Sequence, residues 1–275
     1  REGAGTDVKQ ADSEYHSTIH TESLAMDPER LFLHQRIALF PRLIRQIPAL
    51  QEARILDIGA GTGYAGIFLA KTFPRVKVVA LEESRVAAEQ LIPTMAAAHG
   101  VPDRVTAVRG SFEGFTDDQP FDVVLSFGAL HHSQVLPASF QAMRAVLKSD
   151  GWLVAHEPVM PDTTTNAQFV AKYESFEIKA GLRLQNLDRD DHFYRRCEYL
   201  CAASHTGFDI VSERRVDNRQ LWSRLHLRRG HFFGLAKSLA HRLQHGPNQL
   251  SPGLHNRLFI WRPSNTQWIP HSWAP

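Results

Sequence analysis

Residues 54–71 read Arg-Ile-Leu-Asp-Ile-Gly-Ala-Gly-Thr-Gly-Tyr-Ala-Gly-Ile-Phe-Leu-Ala-Lys, which predicts a strand, a glycine turn and a helix in direct succession. A short apolar run (Ile55, Leu56, Ile58) carries Asp57 near its end. Gly59, Gly61 and Gly63 then alternate, and a segment of helical character follows. Glycine suits a tight turn because it takes positive φ freely and lets a ligand lie against bare backbone. The helix beginning there points its first unsatisfied N–H groups, and the positive end of its dipole, at the same place. The spacing is D-x-G-x-G-x-G, not the G-x-G-x-x-G of a dinucleotide fingerprint, which disfavours a nicotinamide dehydrogenase.

The pattern downstream alternates. Strands are predicted at 54–58, 76–81, 105–109, 121–126 and 152–156, and helices at 63–73, 84–99 and 136–148. Such alternation specifies an α/β fold, a mostly parallel sheet with helices on both faces. Gly207–Val211 reads as a helix end running into a strand, and Leu258–Trp261 as a last strand. Upstream, Leu31, Phe32, Ile37, Leu39, Phe40, Leu43, Ile44 and Ile47 recur at helical spacing, so 15–50 is read as one or two helices. Asp27 is the expected N-cap and Pro28 the first helical residue. This divides the chain into a tail with lid helices, 1–50, and a main domain, 51–275, carrying insertions at about 158–200 and 213–250. In sheets of this class ligands bind beyond the carboxyl ends of the strands, so the residues following each strand are the ones to inspect.

A chain of 275 residues suits one such domain with insertions. Two cysteines are too few for a disulfide framework and point to a reducing compartment. No apolar run approaches the ~18 residues of a membrane span, and the first residues lack the apolar core of a signal peptide, so the expected setting is cytoplasmic. The net charge of +2 gives no overall field for a polyanion. Between Arg214 and Arg242, however, arginines crowd together with interleaved leucines and aromatics, opposed by Asp217 alone. That segment reads as an amphipathic insertion with a solvated basic face. Its alternative readings are a site for an anionic substrate or carrier protein, a homodimer contact, or an RNA face.

The glycine segment resembles motif I of the class I S-adenosylmethionine-dependent methyltransferases, and the resemblance extends over 54–157. Phe121–Ser126 followed by Phe127-Gly128-Ala129-Leu130-His131-His132 is similar to the family's motif IV and its Leu-His-His. Ala145–Val154 resembles the family's Leu-Lys-Pro-Gly-Gly turn, with Ser149-Asp150 in place of Pro-Gly. The resemblance implies a seven-stranded sheet with an antiparallel last strand. It also implies S-adenosylmethionine as cofactor and S-adenosylhomocysteine as product. It places Gly59, Ala60, Gly61 and Gly63 under the amino-acid end of the cofactor, with Asp57 on its amino group. Glu82, with Glu83 beside it, falls on the ribose diol. Ser111, standing where the family has an acid, and Phe112 fall at the adenine. Ser126 and Phe127 line the site, and Tyr15 in the lid faces the sulfonium.

The acceptor side is read from chemistry. An imidazole is suited to removing a proton at neutral pH, so His131 and His132 are the candidate catalytic residues; the alternative is that they cap the next helix or line the pocket. His156 and Glu157 end the fifth strand and are expected at the rim, with Tyr173 from the aromatic insertion as a substrate or lid residue. His241/His245 and Cys197/Cys201 are each spaced i, i+4, but further ligands at metal-site spacing are missing and no metal is expected. The Pro-Pro-Tyr element of DNA and amide N-methyltransferases is absent, and no cysteine is placed for covalent cytosine chemistry. The expected function is methyl transfer to oxygen or nitrogen of a small molecule. An RNA-modifying enzyme and a cofactor-binding enzyme that transfers no methyl, such as a cyclase, stand as alternatives.

Overall fold

Strands buried on both faces read as unbroken apolar runs, and the run Arg54–Ile58 becomes β1, inside a seven-stranded sheet. The structure is a computed structural model that describes residues 19–165, 167–168, 194–216 and 255–264. The remaining strands are β2 (Lys77–Glu82), β3 (Val105–Arg109), β4 (Phe121–Phe127), β5 (Leu147–Val159), β6 (Phe208–Arg215) and β7 (His255–Pro263), in the order β3-β2-β1-β4-β5-β7-β6. From β3 to β5 all neighbours are parallel; β7 runs antiparallel to both β5 and β6. After β3 the chain crosses back over β2 and β1 to lay down β4, so the switch in winding falls between β1 and β4. The register sets Ile58 opposite Leu81 and Ser126, so β1, β2 and β4 finish within a residue of one another, while β5, with Ala155 opposite Ser126, runs on to Val159.

The period of two along each strand divides the interior into two cores. Ile55, Val78, Ala80, Val123, Leu125 and Val154 face α1 (Pro28–Phe32), α2 (Phe40–Gln46), α3 (Tyr64–Thr72) and α4 (Ile92–Ala98). Leu56, Leu81, Val124, Leu153 and Ala155 face α5 (Leu136–Val146) and α6 (Arg196–His205). The N-terminal helices share the first core: Phe40, Leu43, Ile47 and Leu50 are fully buried with it.

Three differences from expectation have local causes. Residues 19–50 form several short helical pieces instead of one or two helices, because Pro28, Pro41 and Pro48 each restart the chain at a first turn. Asp27 does cap α1, its side chain accepting from the Glu29 N–H at 3.0 Å. The helix expected over 84–99 contains a π turn, Ala87–Leu91, before α4, where Pro93 supplies no N–H and crowds the carbonyl one turn back. Ser149-Asp150 is not a turn between elements but lies within β5, with Lys148 held to Asp122 at 2.6 Å and a register shift between Phe121 and Val123 absorbing the irregularity.

Tyr15, Tyr173, most of both insertions including the arginine segment from 217 to 250, His241/His245 and the C-terminal tryptophans lie outside the described residues. No described helix is long and apolar enough to cross a membrane.

Candidate active site

The carboxyl edge of the sheet opens into a cavity of about 320 Å³. Its floor is the glycine loop between β1 and α3. Gly59 has φ +57, and a Cβ on it would stand 2.4 Å from the Ala129 Cβ, so only glycine lets the loop after β4 pack against it. Gly61, with the same φ, has no atom within 4 Å of where its Cβ would be, so it offers bare backbone to open space.

Glu82, the last residue of β2, braces this loop. Its Oε2 accepts from the Gly61 N–H at 2.8 Å and its Oε1 from the Ser84 N–H at 3.0 Å. A carboxylate has about four acceptor positions, so both oxygens keep capacity toward the cavity that Glu82 lines. Glu83, Ser111, Phe112 and Glu113 continue that wall.

Asp57 does not line the cavity. It lies buried below the loop, and its Oδ2 accepts from the Gly66 N–H of α3 at 3.2 Å. Burial raises its pKa from 3.8 to about 7; the Gly66 hydrogen bond opposes that rise and the Glu82 charge adds to it.

The opposite wall comes from the N-terminal segment. Arg36, in a 3₁₀ turn (Gln35–Leu39), donates through Nη1 to the Phe127 carbonyl. It has no carboxylate partner among the described residues. His34 stacks on Tyr64, ring centroids 4.0 Å apart and planes 14° from parallel, and its Nδ1 accepts from the Arg36 N–H at 3.2 Å. Burial, with the Arg36 charge second, holds His34 down to about 3, so the ring is neutral at physiological pH. Burial pushes the Tyr64 hydroxyl up to about 12, with Arg36 acting against it.

The third wall is the loop after β4, held from beneath by Glu157. Its Oε1 accepts from the Ser126 hydroxyl at 2.7 Å and from the N–H groups of Gly128, Ala129 and Leu130 at 3.2, 3.1 and 3.2 Å. Its Oε2 accepts from His131 Nδ1 at 2.9 Å. Burial alone would raise this carboxyl; the bonds from His131, Ser126 and Ala129 outweigh burial and hold it at about 2.

This geometry corrects part of the sequence reading. His156 and Glu157, expected at the rim, have 0% exposure. At that level β5 pairs with β4 on one side and β7 on the other, Phe127 and Leu258 standing opposite His156; the strand runs on to Val159, and the loop after β4 lies on Glu157. Neither ring nitrogen of His156 has a hydrogen-bond partner, and burial holds it at about 3. Ser126 commits its hydroxyl to Glu157, so of the pair only Phe127 reaches the cavity. His131 is buried on Glu157, so of the two expected catalytic histidines only His132 lines the cavity. Gly59, Ala60, Gly61, Glu82, Glu83, Ser111 and Phe112 line the cavity as expected; Gly63, like Asp57, does not. The sequence reading missed His20, His34, Arg36, Tyr64 and Gln134. For Tyr64 the signal was its place directly after Gly63; for Arg36 and His34 there was no local signal. No three His, Cys, Asp or Glu side chains among the described residues come together to hold a metal ion.

Residues 55–151 match the family model described as a methyltransferase domain. Over 173 residues the chain is 32% identical to the glycine/sarcosine/dimethylglycine N-methyltransferase of Actinopolyspora halophila, covering 62% of this chain and 29% of that protein. The chain spans less than two thirds of the length of the curated relatives it matches first. Among solved structures, a Galdieria sulphuraria protein assigned as a sarcosine dimethylglycine methyltransferase superposes with a TM-score of 0.60 at 22% identity, over 84% of this chain and 86% of that one. A methyltransferase from Thiobacillus denitrificans, solved with S-adenosyl-L-homocysteine, superposes with a TM-score of 0.51 at 20% identity, over 81% and 91%. At such identities the likeness establishes the fold.

Proposed function

We propose that the chain, whose residues 55–151 match a methyltransferase domain, is a class I S-adenosylmethionine-dependent methyltransferase that moves the methyl group of S-adenosylmethionine to oxygen or nitrogen of a small-molecule acceptor. The observation that carries this reading is Glu82, which braces the glycine loop with one N–H on each oxygen while facing the cavity with acceptor capacity to spare. That is the complement of a ribose diol.

The rest of the cavity fits the same cofactor. Arg36 is a cavity-lining cation without a carboxylate partner among the described residues, and the amino-acid end of the cofactor brings a carboxylate. Asp57 lies beneath the loop with its pKa raised to about 7, so a cofactor ammonium near the loop would favour its ionised form. Ser111 and Phe112 offer a hydroxyl and an aromatic face at the adenine end. When bound, the cofactor supplies a methyl on a sulfonium, already activated and with a neutral leaving group. The protein's tasks are to orient the acceptor, exclude water, and accept a proton where the acceptor carries one. We assign the last task to His132, which lines the cavity, rather than to His131, which is held by Glu157. Two of the matched proteins are named for sarcosine and dimethylglycine, so small secondary and tertiary amines are the first acceptors to assay.

Thermal melting tests the cofactor assignment. A ligand present at 100 times its dissociation constant adds ~2.7 kcal/mol. S-adenosylmethionine and S-adenosylhomocysteine should raise the melting temperature of the wild type, NAD should not, and Glu82→Ala should lose the shift. No shift with either adenosyl compound overturns the reading. Release of S-adenosylhomocysteine in the presence of an amine or hydroxyl acceptor then tests transfer itself.

A further inference from the structure

Glu157 is a buried carboxylate with five hydrogen-bond donors, and none of them belongs to its own strand. Three are consecutive backbone N–H groups, Gly128 to Leu130, converging on the single oxygen Oε1. They open the 3₁₀ turn Leu130–His132, so Glu157 caps that turn from below. A negative charge is favoured at such N–H groups, and bonds to an ionised acceptor are the stronger kind. The hydroxyl of Ser126, two residues before these N–H groups, and the ring of His131, one residue after them, complete the shell.

What this loop touches gives the arrangement its consequence. Ala129 packs on Gly59 closely enough to forbid a Cβ there, and Gly128 underlies Arg36 in the same way. The loop is thus the wedge between the glycine floor and the arginine wall, and it ends in His132 at the cavity. Glu157 does not line the cavity, and its five hydrogen bonds all come from the segment Ser126–His131.

We propose that Glu157 is the positioning residue of this active site: by gathering Ser126, three loop N–H groups and His131 on one carboxylate, it fixes the loop that spaces Arg36 from the glycine turn. This rests on the methyltransferase reading only for the identity of the ligand. A carboxylate is required for this role, since it accepts from all five donors without offering a hydrogen of its own. Glutamine keeps one acceptor oxygen for the N–H groups but brings an NH2 to His131; alanine leaves all five donors unmet.

The test uses the wild type, Glu157→Gln, Glu157→Ala and Ser126→Ala. Calorimetry with S-adenosylhomocysteine is combined with amide NMR of Gly128, Ala129 and Leu130. Positioning predicts that affinity falls at least tenfold in Glu157→Ala and is partly restored in Glu157→Gln, and that the three amide protons move upfield together in both. If Glu157→Ala does not fold, Ser126→Ala and Glu157→Gln carry the test. Each removes one interaction, and each should weaken affinity by a few fold while shifting the same three amides. Wild-type affinity in any folded Glu157 variant, or unmoved amide resonances, overturns the proposal. Failure of the wild type itself to bind S-adenosylhomocysteine would instead count against the cofactor assignment, and the amide shifts would still report on Glu157.

Discussion

The Arg36 guanidinium rests on the bare Cα of Gly128: a Cβ built there would stand 2.5 Å from both Nη1 and Nη2. Gly128 also has φ +79, where an L side chain is strained. Gly128→Ala is therefore expected to cost about 1–2 kcal/mol of stability and to push Arg36 off its seat. Urea melts should show the first effect and calorimetry with S-adenosylhomocysteine a loss of affinity of tenfold or more. Adding Arg36→Ala to Gly128→Ala should bring little further loss, because both changes act through one side chain. Additive losses would mean that the two residues are not coupled.

Arg36 itself separates the two ends of the cofactor. Charge-assisted hydrogen bonds contribute about 1.5–3 kcal/mol, which is roughly ten- to a hundredfold in affinity. Arg36→Ala should weaken S-adenosylhomocysteine by that much. It should scarcely affect 5′-methylthioadenosine, which keeps the ribose and adenine but has no amino-acid end. Equal losses for both ligands would place Arg36 in a general structural role.

The centre of the sheet was legible because its strands are buried: Arg54–Ile58 is where the apolar run put it, and the half-exposed edge strand Val105–Arg109 was found from its β-branched residues. The cofactor side of the cavity was legible too, since its residues follow directly on those strands and glycine spacing marks the turn. The opposite wall was not. Arg36 meets Phe127 across 91 residues of chain, and no local pattern distinguishes it from the other basic residues of the N-terminal helices. His156 and Glu157 were misplaced for a related reason. Two polar residues at a strand end read as a rim unless the loop that covers them is known. Here β5 runs on to Val159 beside β7, and the segment after β4 closes over Glu157 within it.

The buried histidines predict an acid limb. His34 and His156 sit at about 3 in the folded protein against an ordinary 6.5. The native state therefore binds fewer protons than the unfolded state between those values. The stability they contribute is full above 6.5 and is lost as pH falls toward 3. Replacing His156 by phenylalanine, which removes the titration and keeps a ring beside Phe127, should flatten the decline in urea-melt stability between about pH 6 and 4. An unchanged slope would show that His156 is charged in the native state.

Asp57 has the opposite sign. Its folded value is about 7 against an ordinary 3.8, so the native state holds a proton that the unfolded state has lost. The stability tied to that proton is fully present below 3.8 and is lost as pH rises through 7. Over the same range the histidines pull the other way, so the informative comparison is the wild type against Asp57→Asn. The mutant should gain stability relative to the wild type as pH rises from about 5 to 8. A ligand ammonium near the glycine loop favours the ionised carboxylate, so S-adenosylhomocysteine should release a proton on binding the wild type at pH 6.5 and none from this site in Asp57→Asn. Calorimetry in buffers of different ionisation enthalpy reads that proton directly. A wild-type binding enthalpy that does not change with the buffer would mean that Asp57 is already ionised in the free protein, or that the ammonium lies too far away to move its proton.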